Sequence, residues 1–70
     1  MIKVYLTTGH CNPPMTRTIP CDEVRYFENK HKVSMYDKHG KTSKLVAWAI
    51  TDEWLHIVIE YNDGHKEVIK

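Results

Sequence analysis

Cysteine, glycine and charge of one sign are all scarce in this 70-residue chain, and each scarcity excludes something. Cys11 and Cys21 can close one disulfide at most, so the chain is not a disulfide-dense scaffold of the small secreted kind. There is no Cys-x-x-Cys and no His-x3-His, the spacings that usually hold structural zinc. The three glycines, Gly9, Gly40 and Gly64, lie far apart; they read as turn residues and not as a phosphate-cradling loop. No apolar run approaches the roughly 18 residues of a membrane span, and Met1-Ile2-Lys3-Val4 lacks a signal-peptide layout. The net charge is only +1, which removes the bulk electrostatic argument for nucleic-acid or membrane attachment. Together these absences predict a cytoplasmic protein with reduced thiols, no cofactor and no membrane partner.

What is present is β chemistry. The hydrophobic fraction of 41% suits a folded chain, and residues 1–70 form one small domain. A chain of this size buries only about 60% of its unfolded surface, so its stability is marginal without help. The segment Leu45–Lys70 is the organising part. Leu45-Val46-Ala47-Trp48-Ala49-Ile50, a polar break at Thr51-Asp52-Glu53, Trp54 to Tyr61, a turn at Asn62-Asp63-Gly64 and a return through Val68-Ile69 give short β-branched and aromatic runs bounded by turns. Upstream, Ile2, Val4 and Leu6 alternate with Lys3, Tyr5 and Thr7, the period of a half-buried strand. Gly9 to Pro14 is a loop, and Met15 to Ile19 a second strand that Pro20 ends or marks as an edge. Cys21 to Asn29 reads either as a strand or as one or two helical turns with a Cys21, Val24, Phe27 stripe.

Two hairpins can be tested for register by pairing. With Lys38-His39-Gly40 as a three-residue loop, Asp37 opposes Lys41 and Val33 opposes Leu45. With Asn62-Asp63-Gly64 as the loop, Glu60 opposes Lys66 and Val58 opposes Val68, leaving Ile59 against Glu67. The predicted fold is therefore all-β, with room for one short helix: an antiparallel meander closed into a small barrel or a strongly twisted sheet, because open edges invite association.

Several groups bear on function. His10, Cys11, Cys21 and His31 have the donor types of a zinc site but not its spacing, and a Cys-His nucleophile pair would need a base and an orienting group that no motif here supplies. We therefore expect no metal and no enzymatic activity. Charge is uneven along the chain. From Val24 to Lys44, Arg25, Lys30, Lys32, Lys38, Lys41 and Lys44 outweigh Glu28 and Asp37, a net of +4. From Leu45 onward, Lys66 and Lys70 face Asp52, Glu53, Glu60, Asp63 and Glu67, a net of −3. A basic segment near Tyr26, Phe27 and Tyr36 can hold a nucleic-acid backbone and stack bases, or can be the solvated face of a hairpin. Trp48, between Val46 and Ile50, is expected in the core. Trp54 follows an acidic turn and is a candidate interface anchor, or a cap on an open barrel end. The candidate binding residues are Trp54, Tyr36, Tyr26, Arg25, Lys32, Lys38 and Lys41.

The opening Met1-Ile2-Lys3-Val4-Tyr5-Leu6-Thr7-Thr8-Gly9, the central Tyr36-Asp37-Lys38-His39-Gly40-Lys41, the Ala47-Trp48-Ala49 strand and the final hairpin together resemble small all-β accessory proteins of bacteriophages and mobile elements. The resemblance lies in pattern and carries no site residues. It implies a cytoplasmic protein of the host-takeover or counter-defence kind that acts by binding, for example as an inhibitor. The expected partner is a host protein, with a homodimer through an edge strand as a further expectation. The alternative from another class is a small β-barrel that binds nucleic acid through residues 25–44.

Overall fold

The computed structural model of this protein describes residues 1–9 and 12–70. In chain order the strands are β1 (Ile2–Thr7), β2 (Thr16–Cys21), β3 (Glu23–Phe27), β4 (Lys32–His39), β5 (Thr42–Ile50), β6 (His56–Glu60) and β7 (Lys66–Val68). Single 3₁₀ turns cover Glu28–Lys30 and Thr51–Glu53. The chain is all-β, as its alternating pattern demands, and every strand pair is antiparallel. The segment Cys21–Asn29, open to helix or strand in the sequence, is strand through Phe27, with only the 3₁₀ turn beyond it.

The strands form two sheets. Sheet I has the order β2-β1-β6-β7 and sheet II the order β3-β4-β5. No closed barrel is found among the described residues, and the meander is broken where β6 returns to pair with β1. Asp22 makes the corner between the sheets. Its backbone N–H donates to the Tyr36 carbonyl (2.9 Å) and its carboxylate accepts from the Lys38 N–H (2.8 Å), so the end of β2 is fastened to β4 as the chain enters sheet II.

One core lies between the sheets. Ile2, Val4 and Leu6 of β1 and Ile57 and Ile59 of β6 meet Val33 and Met35 of β4, with Cys21 and Ala49 filling the remainder. The period-two rhythm of β1 and β6 explains this directly, because alternate residues line one face. Thr51 closes the lower corner: its N–H donates to His31 O (2.8 Å), and Lys70 Nζ donates to its carbonyl (3.0 Å). Among the described residues no helix is long and apolar enough to cross a membrane.

Two expectations are corrected. The β4–β5 turn uses Gly40 and Lys41 alone, with Gly40 at φ +63° and His39 paired with Thr42. Asp37 therefore faces Lys44, not Lys41, and Val33 faces Ala49, not Leu45. The charge test failed because lysines recur at 41 and 44, so either register gives Asp37 a cation. Trp48, expected in the core, is 57% exposed. In β5 it is Ala47 and Ala49 that turn inward, and both sides of the run Leu45–Ile50 are apolar, so alternation alone could not assign a face. The last hairpin has the expected register, Glu60 with Lys66 and Val58 with Val68. Pro20 lies inside β2, on an edge strand, where a missing N–H costs no ladder bond.

Candidate functional site

The outward face of sheet II holds the group of residues that the core does not explain. Cross-strand partners share a face, so the register sets three rows: Phe27, Lys32 and Ile50; Arg25, Ser34 and Trp48; Glu23, Tyr36 and Leu45. The register slips between Met35 and Tyr36, where Val46 forms the extra residue of a β-bulge. Ser34, in the middle row, is only 2% exposed although it points away from the core. Its neighbours are large and it is small, so their side chains lean over it.

Three aromatic rings stand on this face, each with a cation over it. The Arg25 guanidinium lies 5.0 Å from the Tyr36 ring centre, Lys32 Nζ 5.4 Å from that of Trp48, and Lys30 Nζ 5.9 Å from that of Phe27. These are cation–π distances. Phe27 and Leu45 are exposed, as is Trp48. Glu23 is the one carboxylate in the three rows. It accepts from Arg25 Nε (2.6 Å) and lies 3.0 Å from Lys38 Nζ. Hydrogen bonds from Lys38 and then Arg25 hold its carboxyl below the usual carboxylate range. The face is thus cationic and aromatic together. Beside Phe27, Tyr26 to Lys30 line a shallow depression, with Glu28 and Asn29 among its residues.

The outward face of sheet I is an instructive contrast. It carries Lys3, Tyr5 and Thr7 against Pro20, Thr18 and Thr16 on one side and Glu60, Val58 and His56 on the other. The Tyr5 hydroxyl donates to Glu60 (3.3 Å) and Thr7 bonds Thr16 (3.0 Å). That is an ordinary solvated sheet surface.

Of the residues singled out from the sequence, Arg25, Lys32, Tyr36 and Lys38 come together on sheet II. Tyr26 pairs with Val33 and so lies on the opposite side of its strand. Lys41 sits in the β4–β5 turn. Trp54 is half-buried and packed against the core at the end of the second 3₁₀ turn, away from the rows. Sequence reasoning missed Trp48 and Lys30. The signal for Trp48 was there: a tryptophan between two alanines on a strand has its bulk on the side the alanines leave free.

Of the zinc-type donors, His10 and Cys11 lie outside the described residues. Cys21 is a free, buried thiol, pushed up by burial and then by Asp37 and Asp22. Among the described residues no group of three metal-ligating side chains gathers. His31 lies 3.7 Å from Asp52, and His65 stacks on Tyr61 and contacts Asp63, all in exposed turns. No protein family, curated protein or solved structure matches the chain.

Proposed function

We propose that this protein works by binding and not by catalysis, and that the outward face of sheet II is its working surface. The observation that carries this reading is Trp48, more than half exposed in the middle of a strand that has alanine on both sides. Soluble domains do not ordinarily leave a tryptophan, a phenylalanine and a leucine together in solvent, and such patches mark interaction sites. Tryptophan, tyrosine and arginine are also the residues that most often anchor interfaces.

A phage-type accessory role accords with this face, and a host-protein partner would have to offer acidic groups to the cations and apolar ones to the rings. A homodimer through an edge strand has less support. β2 carries Pro20, β7 has three residues, and β5, the longest edge, is interrupted by the bulge at Val46, a device that discourages edge pairing. The test is photo-crosslinking in cells with a benzophenone amino acid in place of Trp48, against the same group in place of Thr18 on sheet I. Adducts formed from position 48 and not from position 18 support the face. Equal adducts from both, or none from 48, overturn it.

A further inference from the structure

We propose that the occupant of this face is a single-stranded nucleic acid. The inference rests on the reading of sheet II as the working surface, and it adds the chemical class of the ligand.

The first argument is the pairing of rings with cations. A flat ring gives any base a stacking partner; a base that stacks takes the place the cation holds over the ring, and the displaced cation is left at the ring's edge for the phosphate of that nucleotide. An acidic protein patch would use the cations but would leave three rings facing a polar surface. A hydrophobic protein patch would use the rings but bury Lys32 without a carboxylate partner, which is costly. A polymer that alternates flat apolar bases with anionic links uses both sets at once along its whole length.

The second argument is spacing. Phe27, Trp48 and Tyr36 stand in successive rows of sheet II. They lie on β3, β5 and β4 in turn, so one row (about 7 Å) combines with one or two strand spacings (about 4.8 Å each) to set them about 8 and 12 Å apart, more than twice the 3.4 Å base step of a duplex strand. A stacked duplex buries its base faces and cannot lay them on these rings, whereas an opened strand with splayed bases can.

The third argument is charge. Arg25, Lys30, Lys32 and Lys38 against Glu23 and Glu28 leave the face and its adjoining depression at +2. The depression beside Phe27 adds Asn29, whose amide both donates and accepts and suits the edge of an unpaired base.

The experiment is fluorescence titration of the full chain with single-stranded homopolymer DNA and RNA oligonucleotides and with a duplex of the same length. A Trp54→Phe background makes Trp48 the reporter. The expected result is quenching of Trp48 by single strands, with the duplex at least tenfold weaker. The affinity should fall with salt at a log–log slope of about −1.4, from about 0.7 per phosphate neutralised at two net charges. Followed by oligonucleotide anisotropy, Trp48→Thr weakens binding by about 5- to 150-fold, the range for one lost stacking partner. Lys32→Gln lowers the slope magnitude by about 0.7 and Glu23→Gln raises it by about as much, while Lys66→Gln on sheet I changes neither. No quenching at low salt, a duplex bound as well as a single strand, or a slope indifferent to Lys32 and Glu23 would each overturn the proposal. If position 48 crosslinks only to protein in cells and oligonucleotides do not bind, the working face stands and its nucleic-acid occupant falls.

Discussion

Replacing Trp48 by threonine should cost little stability, and this separates the observed surface from a core assignment. A fully buried tryptophan removes about 150–250 Å² from water. Trp48 is 57% exposed, so it covers less than half of that. About 100 Å² at 25 cal/mol/Å² gives roughly 2.5 kcal/mol as an upper bound, since the extended-chain reference overstates burial by about 10–40%. Threonine retains part of the contact and keeps the strand preference of the position. No cavity forms, because the side chain lies over Ser34 at the surface. The lost Lys32 contact adds about 0.5 kcal/mol. The net is a destabilisation of about 1–1.5 kcal/mol. A core tryptophan truncated in this way would cost about 3–5 kcal/mol. Urea denaturation followed by far-UV circular dichroism measures the difference. A loss of 3 kcal/mol or more would mean that Trp48 is packed inside, and the face built around it would not exist.

The remaining predictions concern the frame beneath that face. Met35→Ala and Ile57→Ala, in fully buried positions on opposite sheets, should each cost about 2–5 kcal/mol, and in a domain this small either one should unfold much of the population at 37 °C. His31 sits at φ 50°, a left-handed conformation that costs a non-glycine residue about 1–2 kcal/mol. His31→Gly should therefore be neutral to about 1 kcal/mol stabilising, whereas His31→Val should destabilise, both read as shifts in denaturation midpoint. The carboxyls of Glu23 and Asp63 titrate lower in the folded chain than in the unfolded one, through hydrogen bonds from Lys38 and Arg25 and from the His65 backbone. Their stabilisation is complete above the ordinary carboxylate pKa of about 4 and is lost as pH falls through the lowered folded values. Midpoints measured between pH 6 and 3 should fall with acidification, and less so in Glu23→Gln.

Much of the fold was legible because hydrophobic alternation and turn residues act locally. Ile2, Val4 and Leu6 revealed the buried face of β1, and Asn62-Asp63-Gly64 with Val58 and Val68 revealed the last register. The failures came where one pattern admits two solutions. Lysines at 41 and 44 made the β4–β5 register degenerate, and an unbroken apolar run from Leu45 to Ile50 concealed which side meets the core. The pairing of β6 with β1 joins residues 49 to 57 positions apart, and nothing local in either strand records its neighbour. The candidate face was half visible. Arg25, Lys32, Tyr36 and Lys38 were chosen for charge and aromaticity within one segment. Trp48 belongs to a strand counted with the acidic half, so only the sheet could bring it among them.

The segregation of charge along the chain takes on meaning in this arrangement. Strands β3 and β4 bring the basic residues to one sheet, while Glu60 and Glu67 lie on β6 and β7 of the other. Glu60 is near Lys66 (3.9 Å) and accepts from Tyr5, and Glu67 accepts from the Tyr61 hydroxyl (3.0 Å), so these carboxylates have partners on their own sheet. On sheet II the cations outnumber the carboxylate, and Lys30 and Lys32 lie over rings instead. An exposed ring beside an unmatched cation gains modestly from the contact, about 0.5–1 kcal/mol in solvent. That is less than the roughly 1.5–3 kcal/mol a large apolar side chain gains by full burial. The sheet therefore forgoes stability in a domain with little to spare. A surface that keeps Phe27, Trp48 and Leu45 in water at that cost is the feature the proposed ligand would explain by covering them.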